Sequence, residues 1–312
     1  MTLALDLDVL CVGHASYDLV FSVPRHPGPD EKTVASGFLA CGGGPAANAA
    51  VAVARLGGRA AFAGYLGRDV YGDLHYEELR REGVITACIA RGASPTPLSA
   101  VLVKPDGQRA LVNYKGETRS LPRGAIDFSH IAPKVVLFDG HEPDLSQNWL
   151  GRGFPTVLDA GSLHTGTERL MFAVDYLAAS EKFAREWLGR DDPEQALSRL
   201  AERSPAVVIT LGERGLIWRR GSETGAWPAY PVAAVDTTGA GDAFHGALAM
   251  ALAAGWEWRH SLAYASAAGA LCCMALGARP ALPDREHLAR FLAEQGEDLP
   301  DLGALTARKN PR

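Results

Sequence analysis

The residues best equipped for chemistry lie together in the C-terminal third, in the run Val235-Asp236-Thr237-Thr238-Gly239-Ala240-Gly241-Asp242-Ala243-Phe244. An apolar-flanked segment from Tyr230 to Val235 reads as the end of a strand. Gly239 and Gly241 permit a turn that residues with a Cβ resist. Ala243 to Ala254 is rich in alanine and leucine and predicts a helix that is apolar on most faces, hence buried. Strand, turn and helix start leave backbone N–H groups without intrahelical acceptors. Those donors and the positive end of the helix dipole favour phosphate. Asp242 falls in the first helical turn, where the dipole holds a carboxylate ionised. It can face a hydroxyl and accept its proton while the amides of Gly239, Ala240 and Gly241 steady a phosphoryl group. Taken alone, a glycine turn with a capping aspartate accounts for the same residues.

Such residues need a frame that brings them to one edge. Val9 to Gly13 is an apolar run closed by glycine and predicts a buried first strand. Ligands of open α/β sheets sit outside the carboxyl ends of the strands, which places Asp18 well for binding hydroxyls. His14 reads as a structural hydrogen-bonder. Gly42 to Gly44 lets backbone approach a ligand closely. Pro45 suits the first turn of a helix that continues from Ala46 to Leu56, and Asn48 near its start offers both a donor and an acceptor. Further strands are predicted at Ala60 to Gly64, Lys134 to Phe138 and Thr156 to Leu158, the last two ending at Asp139 and Asp159. Tyr176 to Ala179 runs into Ser180-Glu181-Lys182-Phe183. The strongly β-branched Ala206 to Leu211 runs into Gly212-Glu213-Arg214-Gly215. Leu216 to Arg219 and Trp227 to Val232 predict antiparallel strands. Helices are predicted from Trp258 to Met274 and from Glu286 to Ala293, with a frayed tail from Asp298 to Arg312.

Two stretches fall outside this rhythm. Leu19 to Phe38 alternates apolar and polar residues around Pro24, Pro27 and Pro29, which suits short exposed strands. Ser99 to Val103 and Ala110 to Tyr114, joined by Pro105-Asp106-Gly107, predict a hairpin. The alternation of strands and helices elsewhere predicts a single doubly wound, Rossmann-like α/β domain over residues 1–312. Its central sheet is mostly parallel and flanked by helices.

A chain of 312 residues can bury one large core. Its net charge of −5, without a lysine- or arginine-rich run, speaks against a nucleic-acid surface. No apolar run has the length and purity of a membrane span. Met1 to Asp8 is acidic and lacks the basic start and cleavage site of a signal peptide. Five cysteines without paired ligand spacing suit a reducing cytoplasm, and Cys272-Cys273 reads as core filler in an apolar helix. A dinucleotide-dependent oxidoreductase needs G-x-G-x-x-G after the first strand, and Gly13-His14-Ala15-Ser16 lacks it. A ligand-binding regulator without catalysis has no need of Asp242 together with its glycines.

Asp236 to Asp242 resembles the C-terminal signature of the ribokinase-like sugar kinases, the PfkB family. Gly42-Gly43-Gly44-Pro45-Ala46-Ala47-Asn48-Ala49 resembles its N-terminal signature. The two stand in the family's order, other family-like pieces fall between them, and the resemblance covers nearly the whole chain. It implies a ribokinase fold and an ATP- and Mg2+-dependent transfer of the γ-phosphoryl group to a primary hydroxyl of a sugar. Asp242 would be the general base, with the 239–241 amides as anion hole. Asp18, Gly43, Gly44 and Asn48 would bind the sugar. Ser180, Glu181, Thr210, Gly212, Gly215 and Thr238 would face the nucleotide, and Asp159 would help place magnesium through water. Asp236, with carbonyls of Cys272, Ala275 and Gly277, would hold K+. A discontinuous β-sheet lid, residues 16–41 and 97–118, would cover the sugar and pair two subunits into a homodimer. Gly67-Arg68-Asp69 with Gly72-Asp73 is similar to a Gly-x-Asp-x-x-Gly segment of structural role. The chain departs from the family at Ser180 and Phe183, where asparagine and glutamate are usual. The Gly-Gly-Gly-Pro-Ala-Ala and Gly-Asp-Ala-Phe-His-Gly-Ala-Leu runs look most like the branch acting on ketohexoses such as fructose and sulfofructose. There Lys32 and Asn113 would meet over the far end of the substrate. His141 stands where an arginine for a sulfonate would be sought. The alternative within the family is a ribose or nucleoside kinase.

Overall fold

The aliphatic runs pair edge to edge into one large sheet and one small one. The computed structural model describes residues 4–116, 118–297 and 300; the predicted frayed tail lies outside them apart from residue 300. In chain order the elements are β1 (Leu5–Val12), β2 (Ser16–Ser22), β3 (Gly37–Gly43), α1 (Pro45–Arg55), β4 (Ala60–Gly67), α2 (Val70–Arg81), β5 (Ile89–Gly92), β6 (Leu98–Val103), β7 (Arg109–Tyr114), β8 (Ile131–Phe138), α3 (Pro143–Ser146) and β9 (Thr156–Ala160). They continue with α4 (Thr165–Leu170), β10 (Tyr176–Ser180), α5 (Glu181–Leu188), α6 (Pro193–Ala201), β11 (Ala206–Thr210), β12 (Leu216–Arg220), β13 (Glu223–Trp227), α7 (Ala240–Ala253), α8 (Trp258–Cys272), α9 (Ala278–Ala281) and α10 (Arg285–Glu294).

The large sheet runs β13-β12-β11-β10-β9-β8-β1-β4-β5 and is parallel except where β12 meets β11 and β13. Along β1 the side chains alternate between faces: Val9 and Cys11 enter one core cluster, Leu10 and Val12 the other. Helices α1, α7 and α8 cover the first face and α5 and α6 the second. With both faces buried, the strands read as unbroken apolar runs. β1 and β8 are neighbours, but the chain leaves them in opposite directions, to β4 on one side and β9 on the other. That reversal opens a crevice at their carboxyl ends, where a ligand can enter.

The small sheet, β3-β2-β6-β7, stands over this edge. Its ladder sets Asp18 opposite Cys41 and Ser99, and Ser99 opposite Asn113. On that face Val20, Val101 and Val103 are buried, with Leu39 and Leu276 packed against them. The opposite face carries Phe21, whose ring lies 5.1 Å from that of Phe38. On it Phe38, Val112 and Tyr114 are 61%, 70% and 57% exposed.

Three predicted boundaries need correction. The strand after β12 is β13, not Trp227 to Val232, because the chain reverses at once over Gly221 (φ 58°) and pairs Arg220 with Glu223. Tyr230 to Val235 is irregular rather than a strand end. Pro228 and Pro231 have no N–H to give to a ladder. Helix α7 also starts three residues earlier than predicted, at Ala240. The five cysteines are free, and the vicinal pair shows no redox partner: Cys272 is buried and Cys273 Sγ points to Gly269 O. Among the described residues no helix is long and apolar enough to cross a membrane.

Contact between α1 and α7 holds the two halves of the crevice in register. At Gly246 a Cβ would come 2.8 Å from Ala49 O and 2.9 Å from Ala52 Cβ, neither of which can swing aside. Gly246→Ala should therefore cost about 1–3 kcal/mol, a Tm loss of roughly 2–10 °C by thermal unfolding.

Candidate active site

The mouth of α7 is built around Gly239, whose φ of 82° lies in the left-handed region that side chains disfavour. Ala243 N closes the first helical bond, to Gly239 O at 2.8 Å. Ala240 N makes a longer one, 3.3 Å, to Thr237 O. Among the described residues the N–H groups of Gly239, Gly241 and Asp242 find no acceptor. The open amides are thus not quite the expected set: Ala240 is partly engaged and Asp242 joins. Behind them Asp236 is fully buried. It accepts from Thr238 N (2.9 Å), Thr238 Oγ1 (2.6 Å) and Gly277 N (2.8 Å). Cys273 O accepts from Val235 N and Asp236 N. These bonds tie the glycine turn to the connection between α8 and α9. The Thr238 hydroxyl, expected at the nucleotide, is committed to Asp236.

Asp242 Oδ2 accepts from Asn48 Nδ2 at 2.7 Å, a contact between residues 194 positions apart. Burial, then the charge of Asp159, push the Asp242 carboxyl up to about 7; Asn48, His245 and Arg109 oppose the rise. His245, one turn along α7, lies 3.1 Å from Asp159 Oδ2 and directs Nε2 to Ala178 O at 3.2 Å. Burial alone would lower its pKa, but the charge and hydrogen bond of Asp159, with the Asp242 charge and the Ala178 carbonyl, together outweigh burial and hold the imidazole above its ordinary value. Asp159, expected near magnesium, is therefore paired inside the protein.

The facing wall is made by Asp18, buried on β2 and hydrogen-bonded by Ser16 Oγ at 2.8 Å. Burial raises its pKa against the bonds from Ser16 and Ser99. Gly43 lies against it: a Cβ there would fall 2.1 Å from Asp18 Oδ2. Gly44 is the N-cap of α1. The structure thus brings Asp242, Asn48, Gly43 and Asp18 to one cleft. Sequence reasoning missed what sits behind Asn48. Arg279, 2% exposed, donates to Asn48 Oδ1 and to Glu78 Oε1, and Glu78 Oε2 accepts from Gly42 N at 2.8 Å. Arg279 stands in the short helix α9, just after Gly277, and no periodic pattern links it to a partner 231 residues away.

Asn113 is exposed on β7, on the same lid face as Asp18. Lys32 is exposed in the link between β2 and β3 and makes no hydrogen bond or ion pair among the described residues, so no contact joins it to Asn113. Lys115, just past the end of β7, is the cation that acts on His14 and His164. His141 stacks on His164 (4.7 Å, 11°) and lies 5.0 Å from His14. Burial, then His141 and Lys115, lower His14 to about 3 and His164 to about 4. Beneath them Asp139 accepts from His14 N, His141 N and Ala46 N, pinning β1, β8 and α1 together.

Ser180 and Glu181, expected to face the nucleotide, are engaged within the protein. Ser180 Oγ accepts from Phe183 N at 3.0 Å as the N-cap of α5 and donates to Gly161 O. Glu181 is ion-paired with Arg214. Thr210 Oγ1 reaches Ala179 O at 3.4 Å. Gly212 opens a single 3-10 turn, and Gly215 packs against the carbonyl of Trp227. Cys272 points its Sγ toward Thr238 O and Ala278 O. Among the described residues no group of three or more His, Cys, Asp or Glu could hold a metal ion.

The raised Asp242 pKa has a consequence for stability. Between 3.8 and about 7 the folded carboxyl holds its proton more tightly than the unfolded one, so folding weakens as pH climbs through that window. Asp242→Asn removes the buried charge. Its Tm at pH 8 should match or exceed that of the wild type, with the difference shrinking at pH 5. Its kcat should fall by about 100-fold or more, the scale of a lost general base. Near-normal turnover would remove Asp242 from the mechanism.

Comparison with known proteins places this geometry. The pfkB family carbohydrate kinase profile matches residues 6–129 and 154–285. Ribokinase of Bacillus subtilis (strain 168) is 29% identical over 295 residues, covering 92% of this chain and 99% of the relative. Arabidopsis thaliana ribokinase, solved in complex with ribose and ATP, is 26% identical with a TM-score of 0.80, covering 92% of this chain and 99% of that one. Fructokinase with bound ATP from Xylella fastidiosa is 25% identical with a TM-score of 0.77, covering 93% and 99%. The matched residues include both walls of the cleft and the mouth of α7, so the chain belongs to the pfkB family of carbohydrate kinases and is an ATP-dependent sugar kinase.

Proposed function

We propose that the acceptor is a ketohexose-type sugar or derivative, of the fructose, sulfofructose or fructosamine class, phosphorylated on a primary hydroxyl. The observation that carries the reaction is the Asp242 carboxylate, bonded to Asn48 and set beside open amides. The acceptor oxygen attacks the γ-phosphorus as the bond to the β,γ-bridging oxygen breaks. The hydroxyl proton passes to Asp242 and ADP leaves. The amides of Gly239, Gly241 and Asp242 steady the transferring oxygens, so the work is positioning and charge stabilisation. Asp18, Gly43 and Asn48 would orient the sugar, with Asn113 from the lid and His141 from the end of β8.

Mg2+ would arrive with the nucleotide and neutralise phosphate charge, since Ser180 and Glu181 are engaged elsewhere. K+ fits Asp236, a fully buried carboxylate whose three bonds come from neutral donors; carbonyls of Cys272, Ala275 and Gly277 would complete its shell. The four-stranded sheet serves as a lid that excludes water. Its outward apolar face, with Phe21, Phe38, Val112 and Tyr114, supports a homodimer.

The kinship with ribokinase favours ribose as the second reading. ADP release against fructose, sulfofructose, fructosamine, ribose and adenosine separates them. A ketohexose-class acceptor should exceed ribose in kcat/KM by about tenfold or more, a difference of about 1.4 kcal/mol in transition-state binding; ribose in first place overturns the assignment. For the lid, a Phe38→Lys/Val112→Lys variant should sediment as a monomer while the wild type sediments as a dimer. A wild type that is already monomeric refutes the pairing.

A further inference from the structure

We propose that Arg279 is a positioning residue: by holding the carbonyl of Asn48 it turns the amide NH2 onto Asp242 Oδ2 and leaves Oδ1 to take the acceptor's proton. The inference rests on the reading of Asp242 as the base.

The geometry leaves the Asn48 amide one orientation. Arg279 Nε and Nη2 lie 3.2 and 3.0 Å from Asn48 Oδ1. A guanidinium has donors and no acceptor. The atom facing it must be an oxygen, so the nitrogen must face Asp242. An exchanged amide would set NH2 against two N–H donors and a carbonyl against a carboxylate at 2.7 Å. The assignment of oxygen and nitrogen thus follows from the neighbours. A side-chain amide with a free carbonyl could turn either way, and half of those states repel the carboxylate. Arg279 removes them.

The guanidinium is itself held on three sides. Nη1 lies 3.2 Å from Glu78 Oε1, and Nη2 lies 3.2 Å from His75 Nε2. Burial, then Arg279, keep His75 neutral, so Nε2 carries a lone pair toward the donor. Glu78 reaches on to Gly42 N at 2.8 Å. A single buried cation therefore spans α2, the end of β3, α1 and the base. Lysine cannot replace it, because an ammonium lacks the planar fork that meets Asn48 and Glu78 together.

The groups facing Asp242 are Asn48 from α1, Asp159 from the end of β9, His245 from its own helix, Arg109 from β7 and Cys272 from α8. Of these, Asn48 is the one that Arg279 orients. Losing the Asn48 bond weakens the ionised form of Asp242, so the pH at which the base becomes competent moves up.

The test is Arg279→Lys, which keeps a charge beside Glu78 and loses the grip on Asn48. We expect kcat to fall about tenfold or more with KM for ATP within about twofold, and the acid limb of the kcat/KM profile to move to higher pH. Asn48→Ala should show the same shift, and adding Arg279→Lys to it should cost nothing further, the mark of two residues acting as one. Wild-type kcat and pH limb in Arg279→Lys, or losses that multiply in the double variant, overturn the inference while leaving the base in place. Normal turnover in Asp242→Asn overturns both. Arg279→Met also strands Glu78; should it fail to fold, Arg279→Lys still decides.

Discussion

In the proposed reaction a carboxylate and a highly charged anion share the mouth of one helix. That electrostatic conflict shapes everything around Asp242. The dipole and open amides of α7 favour negative charge, and the nucleotide would use the same donors. A second negative charge there is tolerable only if the base can carry a proton near neutrality. Burial and the neighbouring Asp159 supply that by lifting the Asp242 carboxyl to about 7. His245 pairs with Asp159 in the interior at 3.1 Å. The stability lost by burying Asp242 is the counterpart of its readiness to accept a proton.

Precision in this site comes from contacts that span the chain. Asp236 ties the glycine turn to the α8–α9 connection through three bonds. Asp139 clips β1, β8 and α1 at the switch in the sheet. The close approach of α1 and α7 at Gly246 brings Asn48 to Asp242. In each case a buried polar group is satisfied by partners from another element. Such networks specify one arrangement because any alternative leaves a donor or acceptor unmet.

Much of this was readable beforehand. Gly42 to Asn48 and Asp236 to Asp242 declared two loops and two helices, because glycine, proline and small residues have few other uses at such spacing. Asp18, Asp139 and Asp159 were expected at the ligand edge; all three are buried, Asp139 against backbone amides and Asp159 against His245. Local rules did worse where a local competitor existed. Ser180 has a free N–H three residues on and became a helix cap. The hairpin at Gly221 closed early and displaced the strand expected from Trp227 to Val232. Lys32 lies exposed between β2 and β3 with no contact to Asn113, and the cation that acts on the histidines is Lys115.

From sequence alone came the fold class, the two family signatures and the residues proposed for the anion hole, the base and the acceptor wall. These rest on periodicity and on short motifs, which depend on neighbours a few positions apart. What each buried charge touches was settled only in three dimensions. Arg279 finds Asn48 across 231 positions, His245 finds Asp159 on another layer, and Asp139 serves backbone amides rather than a ligand. Pairing of this kind is fixed by the cost of leaving a buried polar group alone. That cost acts on distance in space, which the order of residues does not record.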